Sequence, residues 1–562
     1  MIRDLGALTR REFDVLVIGG GIFGIAAARD AALRGLTTAL VERGDFASAT
    51  SANSFKIVHG GIRYLQHGDL PRIRESSRER RALLRIAPHL VQPLPIVIPT
   101  YGRGLTGRTA LRAGLAVYDL LAWDRNRSVG DPDRRVPRGR LISRDECLAL
   151  FPDLEPKQLT GGAIFHDAQM YNPPRLALSC LQSAVGNGAV AANYVEAVEF
   201  LTRPNRVYGI RARDVLGRGD LEIRARMVIN ATGPWAERLV ARTLGVTVTP
   251  ASTFSRDACF VVRKSLLRNH ALALMAPTRD PDALVSRGRR HLFIVPWRAY
   301  TLIGVWHVVH LGSADHIAAT DGELQAFIDE VNAAYPVLHL TLDDVSLCND
   351  GLVLFGENQG TSRDLRYAKR SRIIDHAAGN GLGGLVSVIG VRWTTARSVA
   401  EQVVRLVCNR LGRRAPPSTT DTSAIHGGAI RRFTDFMRDA EARPPKGVTP
   451  ETMRHLARNY GTEYPRVLAY ARLRPDSRRV IPGSPVLEAE VVHAVREEMA
   501  QTLSDVVFRR TDLGTATYPG DAALERCAQV MSGELGWDGQ HCHREITEVR
   551  RLFARHRALP AA

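Results

Sequence analysis

The feature that most constrains this chain is a glycine turn set between two strands near its start. Asp14 to Ile18 reads DVLVI, a short β-branched run suited to a strand buried on both faces. Gly19, Gly21 and Gly24 follow at once as Gly-x-Gly-x-x-Gly. IAAARDAALRG then has helical composition and ends at Gly35, and TTALVER is a second strand reaching Glu42. Each glycine has its own steric role. Gly19 permits the tight turn, Gly21 the approach of backbone to a pyrophosphate, and Gly24 the packing of helix on strand. The helix start offers free N–H groups and the positive end of its dipole to phosphates. Glu42 stands 23 positions after Gly19, where a carboxylate accepts hydrogen bonds from ribose hydroxyls. The pattern specifies a dinucleotide without deciding between FAD and NAD.

At 562 residues the chain is too long for one ordinary core. Its formal charge is +18, but the basic residues are spread along the chain instead of gathered in a tail or module, which argues against nucleic acid as a partner. Codon bias toward Arg and Ala accounts for much of that charge, and an anionic substrate or acidic membrane surface fits the rest. The seven cysteines are dispersed without a CxxC pair, as expected of reduced thiols. His541-Cys542-His543 has no second ligand pair at zinc-like spacing, so no metal is expected. The N-terminus lacks a signal peptide's apolar core, and no uncharged apolar run approaches the length that spans a bilayer. The expected location is the cytoplasm, or the inner face of the cytoplasmic membrane.

Further buried strands are readable at RMVIN (226–230), HLFIVP (291–296), 301–305 and GLVSVI (384–389), with a hairpin between 195–200 and 207–213. Because strands occur in both halves, the nucleotide domain is expected to be assembled from separated segments. RRAPPSTTDTSAIHGG (413–428) reads as a linker, and the sequence after it is helical in composition.

ATSANSFKIVHGGIRYLQ (49–66), taken with the glycine turn, resembles the FAD-dependent glycerol-3-phosphate dehydrogenases. The likeness continues through VINATGPW (228–235), FIVPW (293–297), VRWTTARSVAEQVV (391–404) and FRRTDLG (508–514), and runs collinearly from about residue 10 to 520. It implies an α/β fold: a Rossmann-like FAD-binding domain interleaved with a mixed-sheet substrate domain, plus an all-helical C-terminal domain. The expected segments are 10–80, 226–245 and 376–412 for FAD, 81–225 shared, 246–375 for substrate, 413–428 as linker and 429–562 helical. FAD is expected to contact Gly19, Gly21, Gly24, Glu42, Thr50, Ser51, Ser54, Lys56, Gly60, Gly61, Val195, Ala231, Gly233, Trp235 and Thr394.

The resemblance also implies oxidation of a secondary alcohol, most simply sn-glycerol 3-phosphate to dihydroxyacetone phosphate, with hydride passing to flavin N5 and electrons on to quinone or oxygen. His59 is the candidate base, with His307 as an alternative. Arg63, Tyr64 and Arg392 are expected around the reacting carbon. Arg63, Arg370, Arg392 and Cys259 are expected to bind substrate, since guanidinium forks match phosphate or carboxylate. Several positions depart from the family. Its Gly-Gly-Lys becomes Gly390-Val391-Arg392. Its Gly-x-Arg-Pro becomes Gly351-Leu352-Val353-Leu354, removing a phosphate arginine. Gly-Ser-His becomes Asp257-Ala258-Cys259, and Gly-Thr-Thr-Asp becomes Gly304-Val305-Trp306-His307. The changes cluster in the substrate half, so a different polyol phosphate, sugar phosphate or other anionic hydroxy compound is the alternative substrate. The amphipathic stretch 109–123 falls where family members dip into the bilayer surface, so it is either an interfacial helix or a core helix. A homodimer is also expected.

Overall fold

The computed structural model describes all residues except 103–106, 218, 250, 280–288, 311, 316, 356–367, 369, 474–477 and 556–562. Two sheets share the first 390 residues. The first runs, edge to edge, through Arg372–Asp375, Leu385–Ile389, Asp220–Asn230, Phe13–Ile18, Thr38–Val41 and Val190–Ala192. From Leu385–Ile389 to Val190–Ala192 every neighbouring pair is parallel. Phe13–Ile18 lies between Asp220–Asn230 and Thr38–Val41, with Val17 opposite Ile229 on one side and Leu40 on the other. Arg372–Asp375 closes one edge antiparallel. The hairpin Val195–Arg203 with Arg206–Asp214 extends the same sheet through the first half of Asp220–Asn230.

The helix Ile22–Leu33 crosses from the first strand to the second and packs between Pro173–Gly186 and Ala396–Arg410. Its apolar residues are small, with Ala27, Ala28 and Ala31 fully buried, so neighbours approach closely. Val15, Val17, Ile25, Val403 and Val404 join one core under this face. A parallel strand buried on both faces must be apolar at nearly every position, which is why DVLVI and MVIN read as runs and not as alternations.

The second sheet is mixed and has nine strands; eight follow the order Val345–Phe355, Thr253–Val262, Tyr300–His310, Arg289–Trp297, Ala271–Arg279, Val91–Tyr101, Leu159–Met170 and Ile57–Val58. The helices from Glu488–Glu498 to Gly539–Arg555 pack against this sheet, in a core that joins Ile96, Phe165 and Trp297 to Val491, Val506 and Phe553.

FRRTDLG joins the two parts. Arg510 grips Asp45 with two hydrogen bonds (Nη1 to Oδ2 2.6 Å, Nη2 to Oδ1 2.7 Å), and Arg509 Nε adds a third at 2.5 Å. All three residues are buried, Arg509 least so. Burial pushes the Asp45 carboxyl up, but Arg510 and Arg509 outweigh it and hold it far below the usual range. Asp512, two positions on, accepts from Arg298 at 2.6 Å, Asn172 at 2.7 Å and Asn459 at 3.0 Å. One short segment therefore ties the helical domain to the loop after Glu42 and to the second sheet.

Candidate active site

A cavity of about 700 Å³ opens between the two sheets. One end is the glycine turn. Gly19 has φ +105°, and a Cβ there would sit 2.6 Å from the Ala231 carbonyl oxygen. A Cβ on Gly24 would lie 1.9 Å from the Gly19 oxygen, so only glycine lets the helix seat on the strand. Gly19 and Gly21 line the cavity while Gly24 lies behind it. Ser51 Oγ accepts from the Ile22 N–H at 2.9 Å, where the helix dipole is positive. Glu42 accepts from the Gly20 and Gly44 N–H groups at 2.7 and 2.9 Å, which aims its carboxylate at the cavity wall. Burial pushes that carboxyl up, against the pull of these two amides. Such a cradle, with backbone approach freed of Cβ atoms and a carboxylate held beyond it, fits the pyrophosphate and ribose of FAD.

The walls continue through Thr50, Ser51, Ser54, Lys56, Gly61, Val195, Ala231, Gly233, Trp235 and Thr394. Thr50 is locked to the second sheet by paired hydrogen bonds with the Leu352 backbone, both 3.2 Å. Lys56 is buried, with Nζ 4.8 Å from the Trp297 ring centroid and 3.3 Å from the Ser54 carbonyl oxygen. Burial lowers its ammonium to about 8, and burial raises the neighbouring Cys259 thiol to about 11. Arg43 stacks on Trp235 with Cζ 4.4 Å from the ring centroid, and with Arg238 and Arg242 it lines the nucleotide end. Nothing in the sequence separates these three arginines from solvated ones.

Gly60 is a correction. It does not line the cavity: its N–H donates to Asp167 Oδ1 at 2.6 Å, and a Cβ would fall 2.1 Å from Arg80 Nη1. Its absent side chain lets Arg80 pass beneath the loop, a packing role instead of a cofactor contact. Arg370 is the second correction. It is exposed and outside the cavity lining, and its neighbour Lys369 lies outside the described residues.

His59, Arg63, Tyr64, Arg392, Cys259 and His307 also line the cavity. His59 is two-fifths exposed, and its Nδ1 faces Asp167 Oδ2 at 3.4 Å. Its backbone N–H donates to Thr394 Oγ1 at 3.1 Å, pinning the loop to the first sheet's side. Asp167 is buried. Burial pushes its carboxyl up, and His59, Arg80 and the Gly60 amide together bring it below its ordinary value. The sequence pattern does not single out Asp167; a lone acid inside the buried strand GGAIFHDAQM is the available signal. Arg392 Nη1 donates to Tyr64 Oη at 2.6 Å. Arg72, also unforeseen, lines the cavity with Cζ 4.6 Å from the Tyr64 ring centroid. His307 Nδ1 lies 2.6 Å from Asp257 Oδ1. Val353 lines the cavity with an aliphatic side chain.

A glycine-turn cradle opening onto a histidine–carboxylate pair and converging guanidinium groups defines a flavin-dependent oxidoreductase. Residues 14–397 match the family described as FAD dependent oxidoreductase, and residues 418–542 match the C-terminal domain of alpha-glycerophosphate oxidase. A glycerol-3-phosphate dehydrogenase of Synechocystis is 33% identical over 97% of both chains. The human mitochondrial glycerol-3-phosphate dehydrogenase is 30% identical over 96% of this chain and 73% of its own. The structure of the Bacillus halodurans glycerol-3-phosphate dehydrogenase complexed with FAD superposes with a TM-score of 0.75 at 25% identity, covering 98% of this chain and 96% of that one. The chain belongs to the FAD-dependent glycerol-3-phosphate dehydrogenase family, and its cofactor is FAD.

Proposed function

We propose that the chain oxidises sn-glycerol 3-phosphate to dihydroxyacetone phosphate. The carrying observation is that the His59–Asp167 pair and the Arg63, Arg72 and Arg392 guanidinium groups line one cavity, the one that begins at the glycine turn. FAD, when bound, supplies the hydride acceptor at flavin N5. Asp167 faces Nδ1 of His59, so an Nδ1–H tautomer leaves Nε2 with the lone pair that takes the substrate's hydroxyl proton. The fixed positive charges neutralise an anionic substrate and orient its carbon chain. Phe55 and Phe293 line the same cavity, limiting water near the reacting carbon. The test is anaerobic mixing of the flavin-loaded protein with glycerol 3-phosphate. Substrate-dependent bleaching of the flavin supports the reading, and none at millimolar substrate rejects it.

Val353 favours a second reading, in which another anionic polyol or sugar phosphate is the better substrate. A bleaching panel across such compounds, ranked by rate, separates the two. We also propose that electrons leave to a quinone or oxygen, that the chain works at the inner face of the cytoplasmic membrane, and that it pairs as a homodimer. Family resemblance supports all three. Among the described residues no helix is long and apolar enough to cross a membrane. The helix Arg108–Leu121 buries Leu115 and Tyr118 while leaving Val117 and Leu120, with nearby Trp123, exposed beside Arg108 and Arg112. That is the composition of a surface-lying helix.

A further inference from the structure

We propose that Arg72, in the first turn of the helix Leu70–Ile86, receives the anionic group of the substrate. This rests on the oxidation proposed above and names the specificity residue of that site. Arg72 lines the same cavity as Arg63, Tyr64 and Arg392. Its Cζ is 4.6 Å from the Tyr64 ring centroid and that of Arg392 is 5.0 Å away, so two cations share one ring. Tyr64 is held in register between them by the Arg392 hydrogen bond at 2.6 Å.

Asp69 and the Tyr64 ring support Arg72, but two effects oppose its charge here. A cation in the first turn opposes the helix dipole, where an acid is the favourable choice. Burial disfavours the charged form of Arg72, and Arg392 adds to the effect. The chain nevertheless fixes the side chain firmly. Asp69, the N-cap, accepts the Arg72 backbone N–H at 3.2 Å, and its other oxygen lies 2.8 Å from Arg72 Nη2. Pro71 presets the turn before it. A guanidinium kept partly desolvated beside another, at the positive end of a helix, is stabilised by an arriving anion on all three counts. Other candidates do not supply the charge: Val353 is aliphatic, and Arg370 stands outside the lining. Arg63, Arg72 and Arg392 supply the forked donors that a phosphate needs.

The test uses full-length, flavin-loaded protein and isothermal titration with inorganic phosphate. Arg72→Met is expected to raise the phosphate Kd by about tenfold or more, the loss of one charge-assisted contact. Arg72→Lys, which keeps the charge without the fork, falls between it and the parent. With glycerol 3-phosphate, KM rises in step with the phosphate Kd while kcat changes by less than about threefold. A phosphate Kd for Arg72→Met within twofold of the parent overturns the inference. Should Arg72→Met fail to retain flavin, Arg72→Lys carries the test, and parent-like values of both Kd and KM overturn it. Bleaching by glycerol 3-phosphate with no Arg72-dependent phosphate binding sinks this inference alone. Arg72-dependent phosphate binding without bleaching sinks the proposed reaction instead.

Discussion

At the scale of single residues, the proposed chemistry turns on His59. Its ring is more exposed than its partner Asp167, which is buried under Gly60 and Arg80, so the carboxylate fixes the ring from below and leaves the other nitrogen toward the cavity. His59→Gln is expected to slow flavin bleaching by about 10²–10⁴-fold, the usual worth of a positioned base, with little change in substrate Kd. Stopped-flow mixing under anaerobic conditions measures both, and an unchanged bleaching rate would assign the proton to another group such as His307. Gly19 and Glu42 are legible in the sequence through local spacing, and His59 through the resemblance of its segment to the family. Asp167 and Arg72 are not: Asp167 comes from a strand far along the chain from His59, and Arg72, close after Tyr64, is one of several arginines in an arginine-rich helix and nothing in its spacing distinguishes it. Gly60 misleads because a loop glycine beside a candidate catalytic histidine looks the same whether it faces the cofactor or the core.

Among elements, the short segment 506–512 matters out of proportion to its length. Asp45→Asn leaves Arg509 and Arg510 buried with a weakened partner, which costs about 3–5 kcal/mol when one member of a buried pair is removed. Urea unfolding of the flavin-loaded protein is expected to show that loss, together with earlier flavin release. The same interface contains a titration. His455 lies 2.9 Å from Glu490 (Nε2 to Oε2) and 3.4 Å from Asp512 (Nδ1 to Oδ2). Burial lowers its basicity, but the two carboxylates outweigh burial and raise it to about 10. A folded-state value above the unfolded 6.5 contributes stability that is full below pH 6.5 and disappears as pH rises through about 10. Thermal unfolding from about pH 6 to 10 should therefore show stability falling by a few kcal/mol, and His455→Gln should flatten that part of the profile. A parent-like slope in His455→Gln would place the titration elsewhere. These contacts are visible in sequence only as a resemblance at FRRTDLG; Asp45, Asn172 and Arg298 lie hundreds of positions from their partners in it, and His455 and Asn459 more than fifty.

For the whole molecule, the interleaved fold class is legible because buried parallel strands appear as apolar runs in both halves of the chain. The outer face of Arg108–Leu121 has a consequence at this scale. Tyr118 on its inner face donates to the Gly60 carbonyl at 3.2 Å, beneath the His59 loop, while Leu120 is 74% and Trp123 67% exposed. Leu120→Glu with Trp123→Glu is expected to weaken flotation with anionic vesicles, since each removes apolar contact and adds a repelled charge. Flavin content is the control that the cavity remains intact, and parent-like flotation would remove this helix from any membrane role.

The cavity takes its walls from Gly19, near the start of the sequence, through to Thr394, hundreds of residues later. A ribosome making this chain thus displays the phosphate-gripping turn early and withholds the opposite wall until some four hundred residues have been joined. With synthesis proceeding at roughly 5–20 residues per second, the flavin's enclosure trails the first glycine by about 20–75 seconds. During that interval the nascent protein must guard a half-built, apolar crevice before any cofactor can be sealed within it.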